Sequence, residues 1–141
     1  MDFTPTEEQA AAQGLTAQIL RDRSTHDRLT AVGTGSDGEL WKELCAAGLI
    51  AAVEDIGLLG LVLILEEQGR VTAQVPLAVT CVYGLLAIAE HGTPEQRERL
   101  LPGVRDGTAV VTGRFRAGGI RHASGGGKGV ERSGAVCAVA A

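Results

Sequence analysis

The chain has 141 residues, of which 45% are hydrophobic, 21% charged and 3% aromatic, with a formal net charge of −4. This length sets the expectation of one domain, burying roughly 70% of its unfolded surface, rather than a large multidomain enzyme; the apolar fraction excludes wholesale disorder. The sign is uneven: residues 1–106 carry 8 Lys and Arg against 16 Asp and Glu, residues 107–141 carry 5 against 1, and half of the 20 glycines fall between Gly103 and Gly134.

In chain order, Thr4-Pro5-Thr6-Glu7 reads as a capping box with proline at the first helical position. The helix it opens runs to about Arg23, with Ala11, Leu15, Ile19 and Leu20 on its apolar side. Ser36-Asp37-Gly38-Glu39 repeats the box and predicts a short helix from Glu39 to Ala47, stopped by Gly48. Asp55 caps a third helix over about Ile56 to Gln68, ended by Gly69, and Val75-Pro76 starts a fourth, to Glu90. Thr93-Pro94-Glu95-Gln96 opens a fifth, ending near Leu101-Pro102. The third and fourth are apolar nearly all round, as suits helices in the middle of a bundle. After Asp106-Gly107 come a β-favouring run, Thr108 to Thr112, then a Gly-rich stretch and a second such run, Gly134 to Val139. Two strands with no further partner are marginal alone, so this end reads as the start of a β structure.

Several function classes fall away. No basic stretch leads into an apolar run at Met1-Asp2-Phe3, so no signal peptide is expected. The longest apolar run, Ile56 to Leu65, is ten residues against the ~20 of a membrane span, so no membrane partner is expected. Cys45, Cys81 and Cys137 sit singly among apolar neighbours and read as core thiols of a reducing, cytoplasmic compartment. His26, His91 and His122 are isolated, so no metal site is expected. Arg outnumbers Lys 11 to 2, which with the Ala and Gly bias points to a GC-rich bacterial genome.

Three segments mimic binding motifs. Gly33-Thr34-Gly35-Ser36-Asp37-Gly38 fits the G-x-G-x-x-G dinucleotide loop, with Leu49 to Val53 and then Glu54-Asp55 in place of a second strand and its ribose-binding acid. The half-polar Arg28 to Val32 before it makes a poor strand and no further β-α alternation follows, so an ordinary inter-helix loop with an N-cap is expected and dinucleotide binding is the minor alternative. Ser124-Gly125-Gly126-Gly127-Lys128-Gly129 approaches a P-loop, but His122 and Gly129 hold the places of its first Gly and its Mg²⁺-ligating hydroxyl, which favours a turn. Arg114, Arg116, Arg121, Lys128 and Arg132 resemble a nucleic-acid-binding arm, but only Phe115 is there to stack, and a solvated loop without nucleic acid is expected. The acidic pairs Glu54, Asp55 and Glu66, Glu67 are helix neighbours pointing about 100° apart. No catalytic constellation emerges from the residues themselves.

A family resemblance does emerge. Met1-Asp2-Phe3-Thr4-Pro5-Thr6-Glu7-Glu8-Gln9, Leu40-Trp41-Lys42-Glu43-Leu44-Cys45-Ala46-Ala47-Gly48-Leu49-Ile50, Leu65-Glu66-Glu67-Gln68-Gly69-Arg70, and His91-Gly92-Thr93-Pro94-Glu95-Gln96-Arg97 through Leu100-Leu101-Pro102-Gly103 to Asp106-Gly107-Thr108 stand in order. Over residues 1–113 the chain resembles the N-terminal part of an acyl-CoA dehydrogenase. The resemblance implies a mainly α fold, with residues 1–106 the family's N-terminal helical-bundle domain and 107–141 an incomplete start of its middle β domain. It also implies FAD, α,β-desaturation of acyl-CoA thioesters, and homo- or hetero-oligomers with dehydrogenase subunits.

Residue by residue, less carries over. The family's catalytic glutamate belongs to its C-terminal part, so no catalytic residue is assigned here. Its loop P-E-x-x-G-G-x-G shrinks to Val53-Glu54-Asp55-Ile56-Gly57, removing wall from the substrate cavity. Val111-Thr112 fit the strand entering the flavin site, but Gly113 replaces its acid and no G-S-D follows. Val111 and Thr112 are therefore the implied flavin contacts, and Tyr83, on the helix lining the acyl pocket, the implied substrate contact. The expectation is a truncated or degenerate dehydrogenase, inactive alone; the alternative is a non-catalytic helical partner of a fuller subunit.

Overall fold

The computed structural model describes residues 3–113 and 136–140. Helix α1, Glu7–Arg23, starts two residues later than the Thr4 box predicts, because Thr6 and Gln9 make the reciprocal pair: Gln9 N donates to Thr6 Oγ1 at 3.2 Å and Thr6 N to Gln9 Oε1 at 3.0 Å. Its buried face is Ala12, Thr16, Ala17 and Leu20, whereas Leu15 and Ala11 point to solvent. Small residues on the contact face let α1 lie close against α4, and the predicted large-residue stripe gives way to that packing.

Helix α2, His26–Val32, N-capped by Thr25, lies where the sequence pattern predicts only a loop between helices. Helix α3, Gly38–Ala46, is capped by Asp37 rather than Ser36: Leu40 N donates to Asp37 Oδ1 at 3.0 Å. It buries Leu40, Trp41, Leu44 and Cys45. Helix α4, Leu49–Val71, begins directly after Gly48, so Asp55 lies inside it and caps nothing. The helix breaks at Gly57, where φ 67° and ψ −167° are open only to glycine. It runs past Gly69 to Val71 and ends on Thr72 at φ 53°, with Gln68 Nε2 donating to Ala73 O and Val75 O across the turn.

Helix α5, Leu77–His91, carries a π-helical stretch over Cys81–Leu86. Helix α6, Pro94–Asp106, passes through Pro102 instead of stopping there. The proline forfeits one hydrogen bond, while Leu101 and Val104 on either side of it are buried, and that packing holds the helix together to Gly107. The strands appear where the β-favouring runs predict them: β1, Ala109–Gly113, pairs antiparallel with β2, Val136–Ala140, in the register Ala109↔Ala140 to Gly113↔Val136.

As its all-round apolarity predicts, α4 packs against α1, α3, α5 and α6, and Ile50, Val53, Leu61 and Ile64 are fully enclosed. One strip stays uncovered: Leu58 is 64% and Val62 50% exposed. No single described helix is long and apolar enough to cross a membrane. Cys45 and Cys81 are buried free thiols, and burial raises their pKa values to about 11 and about 12, as suits inert core groups.

Gly57→Ala forces a side chain into positive φ and lowers the unfolding free energy by about 1–2 kcal/mol, read by urea denaturation. Gly14→Ala, on an exposed face of α1 with open space around it, raises it by about 0.5–1 kcal/mol.

Candidate functional site

Two structural joints position the residues singled out from the sequence. The first is the break in α4. A helix segment leaves its last carbonyls without intrahelical donors, and at this break Ile56 O accepts from Gln9 Nε2 at 2.9 Å. The same Gln9 amide closes the capping box of α1 through its oxygen, so one side chain joins the start of α1 to the break in α4. Farther along, Gln13 Nε2 donates to Glu67 Oε1 at 3.0 Å. Glu54, just before the break, receives Arg105 of α6 in a bidentate pair at 2.6 and 3.0 Å, which fixes the first part of α4 to α6.

The second joint seats β1 on α5. Gly84, in the π-helical stretch, faces Val111 so closely that a Cβ there would lie 2.8 Å from the Val111 carbonyl oxygen. The chain reaches this seat through a side-chain turn: Asp106 Oδ1 accepts from Thr108 N at 2.8 Å and from Thr108 Oγ1 at 2.6 Å. That turn is the physical content of the Asp106-Gly107-Thr108 motif. The Thr108 hydroxyl and amide hold the Asp106 carboxyl below its usual 3.8.

Val111 is fully buried, and its side chain packs the core behind the strand. Thr112 follows it in β1, in register with Cys137. Tyr83 is 42% exposed and shares an outward-facing strip of α5 with Val79, four residues earlier. The structure therefore puts Tyr83 on the outer side of α5 and Val111 on its inner side, and does not bring them into one pocket. Two surface grooves flank the bundle. One of about 460 Å³ is lined by Glu54, Ala89, Arg97, Leu101, Pro102 and Arg105; the other, of about 400 Å³, is lined by Ala17, Arg21, Glu67, Arg70 and Val71. Neither includes Tyr83, Val111 or Thr112 among its lining residues.

The inter-helix loop favoured from the sequence is what the structure shows, and the minor dinucleotide alternative falls. Residues 28–32 are helical rather than a strand, residues 49–53 open α4, and Gly33 to Asp37 merely joins α2 to α3. A phosphate-cradling loop needs a strand leading into it. The Ser124 to Gly129 turn, Arg114, Arg116, Arg121, Lys128 and Arg132 lie outside the described residues. Among the described residues no group of three His, Cys, Asp or Glu side chains is placed to hold a metal ion. Sequence reading missed Gln9, Gly57 and the Arg28–Asp37 pair, in which Arg28 Nε and Nη2 donate to Asp37 at 2.6 and 2.8 Å. Gln9 joins elements 47 residues apart, and the backbone break at Gly57 lies inside one apolar helix run, so no local pattern marks either.

Gln9→Glu separates the two roles of the amide. It keeps an acceptor for Thr6 N but has no donor for Ile56 O, so urea denaturation finds a loss of about 1–3 kcal/mol despite a good capping residue. The Arg28 fork and the Thr108 groups hold Asp37 and Asp106 respectively below the usual 3.8. Both folded-state values are depressed, so the stability these carboxylates add is complete only above about pH 5, about a unit over the unfolded value, and drains away as pH falls through the lowered values. Acid titration of the melting temperature of D37N shows a flatter fall in that window than wild type.

Comparison with known proteins supplies the frame for these joints. Residues 6–108 match the family model for the acyl-CoA dehydrogenase N-terminal domain. A solved variant of the Tcur3481–Tcur3483 steroid ACAD is 50% identical, with a TM-score of 0.68 over 72% of this chain and 30% of that one. The ChsE4–ChsE5 complex from Mycobacterium tuberculosis is 27% identical, with a TM-score of 0.70 over 78% of this chain and 33% of that one. The chain thus spans about a third of the length of these solved chains. No curated protein matches it. The mainly helical architecture, the ordered motifs and the match over most of the chain have one conclusion: this protein belongs to the acyl-CoA dehydrogenase family, and its helices are that family's N-terminal domain.

Proposed function

We propose that the chain supplies the helical domain of an FAD-dependent dehydrogenase that desaturates the CoA thioester of a steroid acid. The observation that carries this reading is the 50% identity to a solved steroid ACAD over 72% of the chain. The break in α4 supports it. Where the family has a longer loop, residues 53–57 here are helical up to Gly57, and the uncovered Leu58 and Val62 follow directly. An exposed apolar strip beside the break is a surface that an apolar acyl group can meet.

In this reading the domain begins to give way to the β domain at Gly107, and Tyr83 faces the acyl group from α5. Bound FAD would accept the β-hydride of the thioester. Thr112 is the residue of β1 we assign to the flavin; Val111, enclosed by the core, fits a supporting place behind it. Desaturation needs a positioned base, and in this reading the carboxylate that takes the α-proton belongs to the family's C-terminal part, as the resemblance implies. A second reading, a helical partner docking on a fuller dehydrogenase subunit, is supported by the same exposed strip and by the likeness to a two-component complex.

The 141 residues alone, mixed with FAD and acyl-CoA, give no dye reduction; reduction overturns the placing of the catalytic base outside these residues. Completed with the family's remaining domains, the enzyme favours a steroid thioester over a straight-chain acyl-CoA by about tenfold or more in kcat/KM, and the reverse preference rejects the substrate class. In that enzyme Tyr83→Ala raises KM with flavin content unchanged, whereas Thr112→Ala lowers the flavin retained. Co-purification with a separate dehydrogenase subunit at fixed stoichiometry selects the partner reading.

A further inference from the structure

Helix α2 stands apart from the bundle. None of its residues is buried, and it touches the other helices only marginally. At seven residues it is too short to persist on propensity alone. Its side-chain hydrogen bonds are local, Arg28 N to Thr25 Oγ1 and Thr30 Oγ1 to His26 O, with one exception. That exception is the guanidinium of Arg28, which forks onto both oxygens of Asp37 at 2.6 and 2.8 Å.

Asp37 is itself buried and held on two sides. Its carboxylate caps α3 through Leu40 N, and its own N–H donates to Gln74 O at 2.7 Å. The pair is also more shielded than the exposed Arg23–Glu43 bridge, with side-chain exposures of 32% and 9% against 51% and 36%. Shielded, bidentate pairs hold where exposed ones hold little.

We propose that residues 25–36 form a strap that opens as a unit while the bundle stays folded, and that the Arg28–Asp37 pair is its latch. Gly33, at φ 62°, and the exposed run after it to Ser36 supply the hinge at one end. The turn at Ser24–Thr25 supplies the other. Two buried side-chain oxygens without partners mark the same two ends. Ser24 Oγ lies at the first hinge, and Gln74 Oε1 belongs to the residue whose carbonyl receives Ser36 and Asp37. Unpaired buried oxygens cost free energy where they stand, and these two lie next to the segments that would move. The strap owes nothing to the catalytic reading and stands or falls separately from it.

Hydrogen exchange on the 141-residue chain tests it. The amides of residues 29–33 exchange faster than those of α3 and α4 in wild type. Arg28→Ala speeds them further, on the order of tenfold, without a matching rise in α3 and α4. Asp37→Asn, which keeps an acceptor for Leu40 N but removes the charge, does the same, and Arg23→Ala leaves α2 unchanged. Equal acceleration in α1, α2 and α3 overturns the strap, because α2 would then open only with the whole domain. Unchanged α2 rates in both Arg28→Ala and Asp37→Asn overturn the latch, and loss of the fold in both would make the pair part of the core and overturn it equally.

Discussion

A regular helix cannot pass through Gly57 at φ 67° and ψ −167°, and at this break Ile56 O is taken up by Gln9, 47 residues earlier in the chain. Much of the bundle follows from that one hydrogen bond. It pins the start of α1 beside the break, and the small-residue face of α1 then lies along the second part of α4. α3 and α6 pack on α4 as well, and the Glu54–Arg105 pair ties its first part to α6. A straight helix of the same residues would carry Leu58 and Val62 on another heading, and the strip they form is an outcome of the break.

The approach of β1 to α5 follows a different rule, absence of side-chain volume. Gly84 lets the Val111 carbonyl come within reach of the helix backbone, and Val111 then closes the core from the strand side. The π-helical stretch at Cys81–Leu86 surrounds this seat, and such stretches frequently accompany functional positions. Tyr83, next to Gly84, is turned outward, on the side of α5 away from the buried Val111.

Much of the helical layout was legible in the sequence because caps are local chemistry. Thr93 and Gln96 form the box their spacing predicts, α5 ends before Gly92, and Gly48 closes α3. Both strand runs were legible from β-branched residues and flanking glycines. The errors share a cause. Asp37 took the cap from Ser36, and Thr6 from Thr4, since competing local acceptors are separated only by small geometric differences. Pro102 did not stop α6, because Leu101 and Val104 gained more by burial than the missing N–H lost.

The residue order by itself determined the class of fold, the family motifs and the buried state of Cys45 and Cys81, since periodicity, caps and apolar surroundings are encoded within a few residues. Only the tertiary structure decided the break at Gly57, the Gln9 bridge, the standing-off of α2 and the opposite facing of Tyr83 and Val111. Each of these rests on groups distant in sequence or on backbone geometry that no short window specifies, and their energies exist only once the helices are packed.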